Sequence, residues 1–122
     1  MPISSLKMAE YKITAKKRWL EEQKKLSLDY DRALLISKQA AFLLKKHYGV
    51  KRVVLFGSLA HKERFHQGSD VDLAVLGLAE KKYFRAVARL LNLSHSPKID
   101  LVRIEDVSDS LKKHIEQEGL EL

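Results

Sequence analysis

Asp70 and Asp72 stand two residues apart in "SDVDLAVL", a stretch whose other members are those of a buried strand. Alternate side chains on a strand project from one face, so both carboxylates point the same way. Held side by side they repel, unless a cation lies between them or one takes up a proton. A third acid, Asp100, interrupts the apolar run "KIDLVRI" in the same manner. If its strand pairs next to the Asp70/Asp72 strand, three carboxylates meet at one point. Aspartate oxygens are hard ligands that suit Mg²⁺ or Mn²⁺. Three of them allow a two-ion arrangement, one ion activating a nucleophile and the other holding phosphates. The plainer reading of an Asp-x-Asp is a turn that caps backbone groups, but this pair precedes "LAVLG" in the body of the predicted strand.

Gly57-Ser58 follows directly on the apolar run "RVVLF". A glycine there lets backbone approach a ligand closely, and the N-terminus of a following helix offers free N–H groups to phosphate. Alone, Gly-Ser reads as a strand-to-helix turn. The order strand, Gly-Ser, loop, Asp-x-Asp strand sets a phosphate cradle beside a metal site.

The elements that must position these residues follow from periodicity. Met8 to Leu26 predicts a helix with a thin apolar stripe through Ile13 and Leu20, and Leu28 to Tyr48 a second, stronger one. In the second, Leu34, Leu35, Ala41, Phe42 and Leu44 recur at spacings of three and four, and Gly49 supplies the stop. Arg52 to Phe56 and Val71 to Leu76 read as strands. Glu80 to Leu91 reads as a helix with Phe84, Val87, Ala88 and Leu91 facing the core, and Ile99 to Ile104 as a third strand. Ser108 to Gln117 is a last helix that Ser108 or Asp109 caps. This order predicts an α/β (α+β) fold, a small mixed sheet with packed helices behind N-terminal helices. One domain over residues 1–122 is expected, with 1–49 its helical N-terminal part and 50–122 the core.

The 122 residues suffice to bury one core, and 45% hydrophobic content describes a globular chain. The absence of cysteine excludes disulfides, zinc–thiolate sites and cysteine nucleophiles, and fits a reducing compartment. No apolar run approaches the roughly 20 residues that cross a bilayer, and "MPISSLKMAEYK" lacks a secretory core, so a cytoplasmic protein is expected. The net charge of +7 sits in the first half, where residues 1–50 hold eleven Lys/Arg against five acids. It reads as a solvated helix face or as a patch for an anionic partner.

In combination, "VVLFGS", ten intervening residues and "SDVDLAV" resemble the minimal nucleotidyltransferases of the DNA polymerase β superfamily, and "KIDLVRIEDV" is similar to the strand bearing their third carboxylate. The resemblance spans residue 50 to the C-terminus. It implies that Gly57, Ser58 and Ser69 bind the nucleotide, and that Asp70, Asp72 and Asp100 are catalytic and hold the metal. The chain departs from the family after Gly-Ser, where "LAHK" replaces the usual x-Ala-Arg-Gly. Lys62 or Arg64 can restore the missing charge, and His61 and His66 read as exposed loop residues rather than ligands.

A chain this short has no room for a dedicated acceptor domain. Such proteins pair with HEPN-domain partners, so the resemblance implies an antitoxin that transfers AMP from ATP to a tyrosine of a HEPN ribonuclease toxin. Transfer to a small molecule or an RNA end, and neutralisation by binding alone, remain the alternatives. Direct contact of the basic N-terminal part with nucleic acid stays open beside its use as a docking surface.

Overall fold

A computed structural model of the chain describes residues 4–122. Residues 1–3, the head of the expected helical part, lie outside them. The first element is one helix, α1 (Ser5–Tyr48), where two had been expected. The reason is chemical: the division was placed at Ser27, a mild helix former, and no Gly or Pro interrupts the run. The Ser4 hydroxyl accepts the Lys7 N–H at its start. Gly49 ends it with φ 64°, its N–H donating to the Leu44 carbonyl. Among the described residues no helix is long and apolar enough to cross a membrane.

The rest alternates: β1 (Arg52–Phe56), β2 (Val71–Leu76), α2 (Tyr83–Leu93), β3 (Ile99–Arg103), α3 (Asp109–Glu118) and β4 (Leu120–Glu121). The sheet order is β3-β2-β1-β4, with β1 antiparallel to β2 and β4 and β2 parallel to β3. The right-hand neighbour β4 was not foreseen, because two exposed residues carry no periodic signal. It is fastened by Arg52, whose guanidinium pairs with Glu116 of α3 and Glu121 of β4. Ser108 caps α3, as read from the sequence, by accepting the Leu111 N–H.

Alternation sends the two faces of the sheet to different partners. Val53, Leu55, Val71, Leu73 and Val75 pack against Ala33, Ala40 and Leu44 of α1 and Ala86 and Leu90 of α2. Val54 and Ala74 meet Ile115 on the other side, flanked by Phe56, Val102 and Leu111. The inward faces of two helices differ from expectation. On α1, Ala33, Ile36, Ser37, Ala40, Ala41 and Leu44 are buried while Leu35 and Phe42 are exposed. On α2, Ala86 and Leu90 are buried, whereas Phe84, Ala88 and Leu91 lie at the surface. Small residues let the helices sit close on the sheet, and the large ones were mistaken for the core. Buried Ser37 is satisfied locally, donating to the Leu34 carbonyl at 2.7 Å.

Candidate functional site

Asp72 is the second residue of β2 and pairs laterally with Phe56 on one side and Asp100 on the other. Asp70 immediately precedes the strand, so the pair stands at its opening end rather than in its middle. Since Asp72 alternates with Ala74 and Asp100 with Val102, these two carboxylates share the face that α3 covers, while Asp70, just outside the strand, stands near enough for its charge to act on Asp72. The Ile115 and Leu111 side chains cover it only further along, which leaves the carboxylate end uncapped.

The electrostatics follow from this placement. Asp72 is half-buried, and its carboxyl is raised above the ordinary value of 3.8, first by desolvation and then by the charges of Asp100 and Asp70. Asp100 has one local cation, Lys98, at 3.2 Å from its Oδ1. Among the described residues no three His, Asp or Glu side chains close on a single point as they stand. The donor set nevertheless fits a hard divalent ion, because Mg²⁺ is characteristically held by one or two carboxylates together with substrate phosphates. Asp72, short of counter-charge and held against two other acids, is the group that such an ion would relieve.

Gly57 belongs to the same cluster. Its backbone, at φ 75° and ψ −157°, lies in a region essentially reserved for glycine. A Cβ built on it would collide with Asp72 Oδ2, so the turn passes directly against the carboxylate. Ser58 follows, and its hydroxyl donates to Ser69 Oγ at 3.0 Å. Ser69 is buried and also accepts the His66 N–H at 3.0 Å, so one hydroxyl joins the Gly-Ser turn to the loop before Asp70. Replacing it should therefore be felt in both places. In Ser69→Ala the His66 N–H loses its partner and Ser58 its anchor. A loss of roughly 1–2 kcal/mol in urea unfolding, with a raised KM for nucleotide, is expected.

No helix of length follows Gly-Ser. Ser58–Ala60 and Lys62–Arg64 are single 3-10 turns, so it is the turn's own backbone at Gly57, rather than a helix dipole, that lies against Asp72. The residues of the departing loop are anchored elsewhere. Phe65 meets Tyr30 of α1 edge-on, with centroids 5.4 Å apart, and Lys62 lies 5.6 Å from the same ring. His61 Nε2 lies 3.1 Å from Glu118 Oε2, near but not aligned as a hydrogen bond, and His66 Nδ1 contacts the Gln67 carbonyl. Neither histidine is turned to the three aspartates. Glu118 went unnoticed in the sequence because only the β4 pairing of Leu120 with Leu55 brings the end of α3 to this turn.

A cleft of about 450 Å³ opens beside the cluster, between α1 and the loops before β2 and β3. Asp70 and Ser69 lie in its wall, facing Lys25, Asp29 and Arg32 of α1 and Lys98. Asp72, Asp100, Gly57 and Ser58 do not line it, so the cleft touches the candidate site only at Ser69 and Asp70. The α1 residues were overlooked because, without the fold, they read as ordinary helix-surface charges.

The comparisons with known proteins bear on the fold and the family. Among curated proteins none matches the chain in sequence. A structure described as a putative minimal nucleotidyltransferase is similar at 23% identity with a TM-score of 0.60, over 76% of this chain and 95% of that one. A toxin–antitoxin structure with AMP-PNP is similar at 24% identity with a TM-score of 0.56, over 68% and 69% of the two chains. A variant of the MntA–HpeT toxin–antitoxin is similar at 26% identity with a TM-score of 0.54, over 70% and 68%. The family described as Polymerase beta, Nucleotidyltransferase matches residues 38–122, which takes in the whole sheet and Asp70, Asp72 and Asp100. The chain belongs to the polymerase β nucleotidyltransferase family.

Proposed function

We propose that this nucleotidyltransferase moves AMP from ATP to a tyrosine hydroxyl of a cognate HEPN-domain ribonuclease toxin, and so acts as the antitoxin of the pair. The observation that carries the reading is the lateral row Phe56–Asp72–Asp100 with Gly57 lying against Asp72, a carboxylate pair beside a backbone turn open to phosphate. The likeness to a toxin–antitoxin structure with AMP-PNP supports the choice of nucleotide and partner.

In this scheme the backbone N–H groups of the Gly57-Ser58 turn hold the outer phosphates, and the Ser58 hydroxyl, donating to Ser69 Oγ, ties that turn to the loop before Asp70. Asp70 and Asp72 would hold Mg²⁺ or Mn²⁺, an ion that would supply charge neutralisation at the phosphates. The tyrosine oxygen forms its bond to the α-phosphorus as the bond to the β-phosphate bridging oxygen breaks, and pyrophosphate leaves. Asp100, beside Asp72, takes the hydroxyl proton. Positioning and electrostatics dominate, as is general for phosphorus transfer.

The test is incubation of both proteins with α-labelled ATP and Mg²⁺ or Mn²⁺. Label on a toxin tyrosine, with loss of its ribonuclease activity, is the expected result. Neutralisation without label would establish binding alone, and label on an RNA end or small molecule with no toxin present would establish the other transfer. Either outcome overturns the reading.

A further inference from the structure

The first half of α1 serves no purpose within the fold. Every residue from Ser4 to Lys25 is exposed. Leu6, Tyr11 and Ile13 are about seven-tenths exposed, and Trp19 and Leu20 more than half. They form two stripes. Leu6, Ile13 and Leu20 recur every seven residues. Met8, Tyr11, Ala15 and Trp19 recur at three and four, in line with the core-facing residues further along the helix. The stretch runs on unbroken from the packed half of α1, whose first buried residue is Ala33, and nothing in the fold covers its apolar side chains. Those side chains call for a covering surface.

Charge selects what covers it. Between Ser4 and Leu26 seven Lys/Arg stand against three Glu, so a second copy of the same arm would bring like charge to like. An acidic surface would be attracted. A nucleic acid would account for the lysines but would leave Leu6, Ile13 and Leu20 without a reason. Position supplies the remaining link. The family match begins at residue 38, so the arm lies outside the shared fold, and it runs straight into the cleft wall at Lys25, where Arg32 and Asp70 also stand.

We propose that residues 4–26 of α1 form a docking arm for an acidic, amphipathic helical surface of the acceptor protein, holding that protein over the Asp70 end of the sheet. The proposal rests on the reading that the acceptor is a protein. The arm supplies apolar anchors, Trp19 foremost, within a basic rim, the pattern expected of an energetic centre of an interface. It contributes to acceptor binding and not to the chemistry at phosphorus.

The test uses the full chain, its Tyr11→Glu/Trp19→Glu variant, and the cognate HEPN-domain protein. Neither changed residue touches the core, so the domain stays folded, and AMP-PNP binding provides the control. The expected result is a Kd for the HEPN protein weakened at least tenfold and a raised KM for it in the labelling reaction. AMP-PNP binding and kcat at saturation should stay within twofold. Wild-type affinity should also fall with added salt. Unchanged affinity in the variant overturns the arm while leaving the transfer reading intact. Arm-dependent binding without any labelling leaves the arm standing and sinks the transfer reading. No binding of the HEPN protein to the wild-type chain, or tighter arm-dependent binding of a 30-nucleotide RNA, overturns the proposal.

Discussion

The Asp72→Asn protein is expected to lose nucleotidyl transfer by about 10²–10³-fold or more and yet to unfold at a higher temperature than its parent at neutral pH. The two effects share one cause. Asp72 is half-buried beside two other acids, so its ionised form is unfavourable in the folded chain. With its carboxyl raised above 3.8, the folded state keeps the proton longer than the unfolded one as pH rises. Stability contributed at this position is therefore highest in acid. It falls as pH rises from the unfolded value through the folded one, and the full penalty is present above that. Asparagine keeps the shape and removes the penalty, and with it the charge that an ion would need. Thermal unfolding with and without Mg²⁺ and ATP separates the parts. Wild type should gain stability on loading, by about 2.7 kcal/mol at a hundredfold excess over Kd, and the variant should gain little. Transfer within tenfold of wild type by Asp72→Asn would remove Asp72 from the chemistry.

Gly57→Ala should be the most damaging single-methyl change in the site. The backbone there costs any other residue roughly 1–3 kcal/mol, and the new Cβ collides with Asp72 Oδ2. Relief comes only by moving the turn, the carboxylate or both. A drop in urea midpoint of the corresponding size is expected, together with transfer reduced as far as in Asp72→Asn, since a misplaced carboxylate is of no more use than a missing one. A Gly57→Ala protein with wild-type stability and activity would show that the close approach to Asp72 is not required.

The candidate site residues stand out in the sequence because they violate their surroundings. Asp72 and Asp100 interrupt apolar strands, Asp70 directly precedes one and Gly57-Ser58 ends one, so type and spacing alone mark these positions. The strands themselves were legible for the same reason, being short, β-branched and bounded. Helix faces were not. Phe84 and Leu91 outweigh Ala86 in any hydropathy count, but the space between α2 and the sheet admits the small residue and leaves Phe84 at the surface. The junction at Ser27 misled because a weak preference was read as a boundary in a run with no true breaker. β4 and the Glu118–His61 contact depend on tertiary pairing and have no local signature. The loop after Ser58 was opaque for a related reason: Phe65 and Lys62 are explained by Tyr30, which lies more than thirty positions earlier in the chain.

That α1 runs unbroken from Ser5 to Tyr48 also sets a rule of phase. A helix without a hinge behaves as a screw: each residue advances it by about 1.5 Å and turns it by about 100°. Whatever grips the outer end is thereby given both a distance and a compass bearing relative to Asp70. Single-residue insertions near Leu26 would swing the outer end to the wrong side, whereas four would come close to restoring its heading one turn further out. On the docking proposal, changes in the length of this stretch are expected to preserve binding in steps of whole turns rather than of single residues.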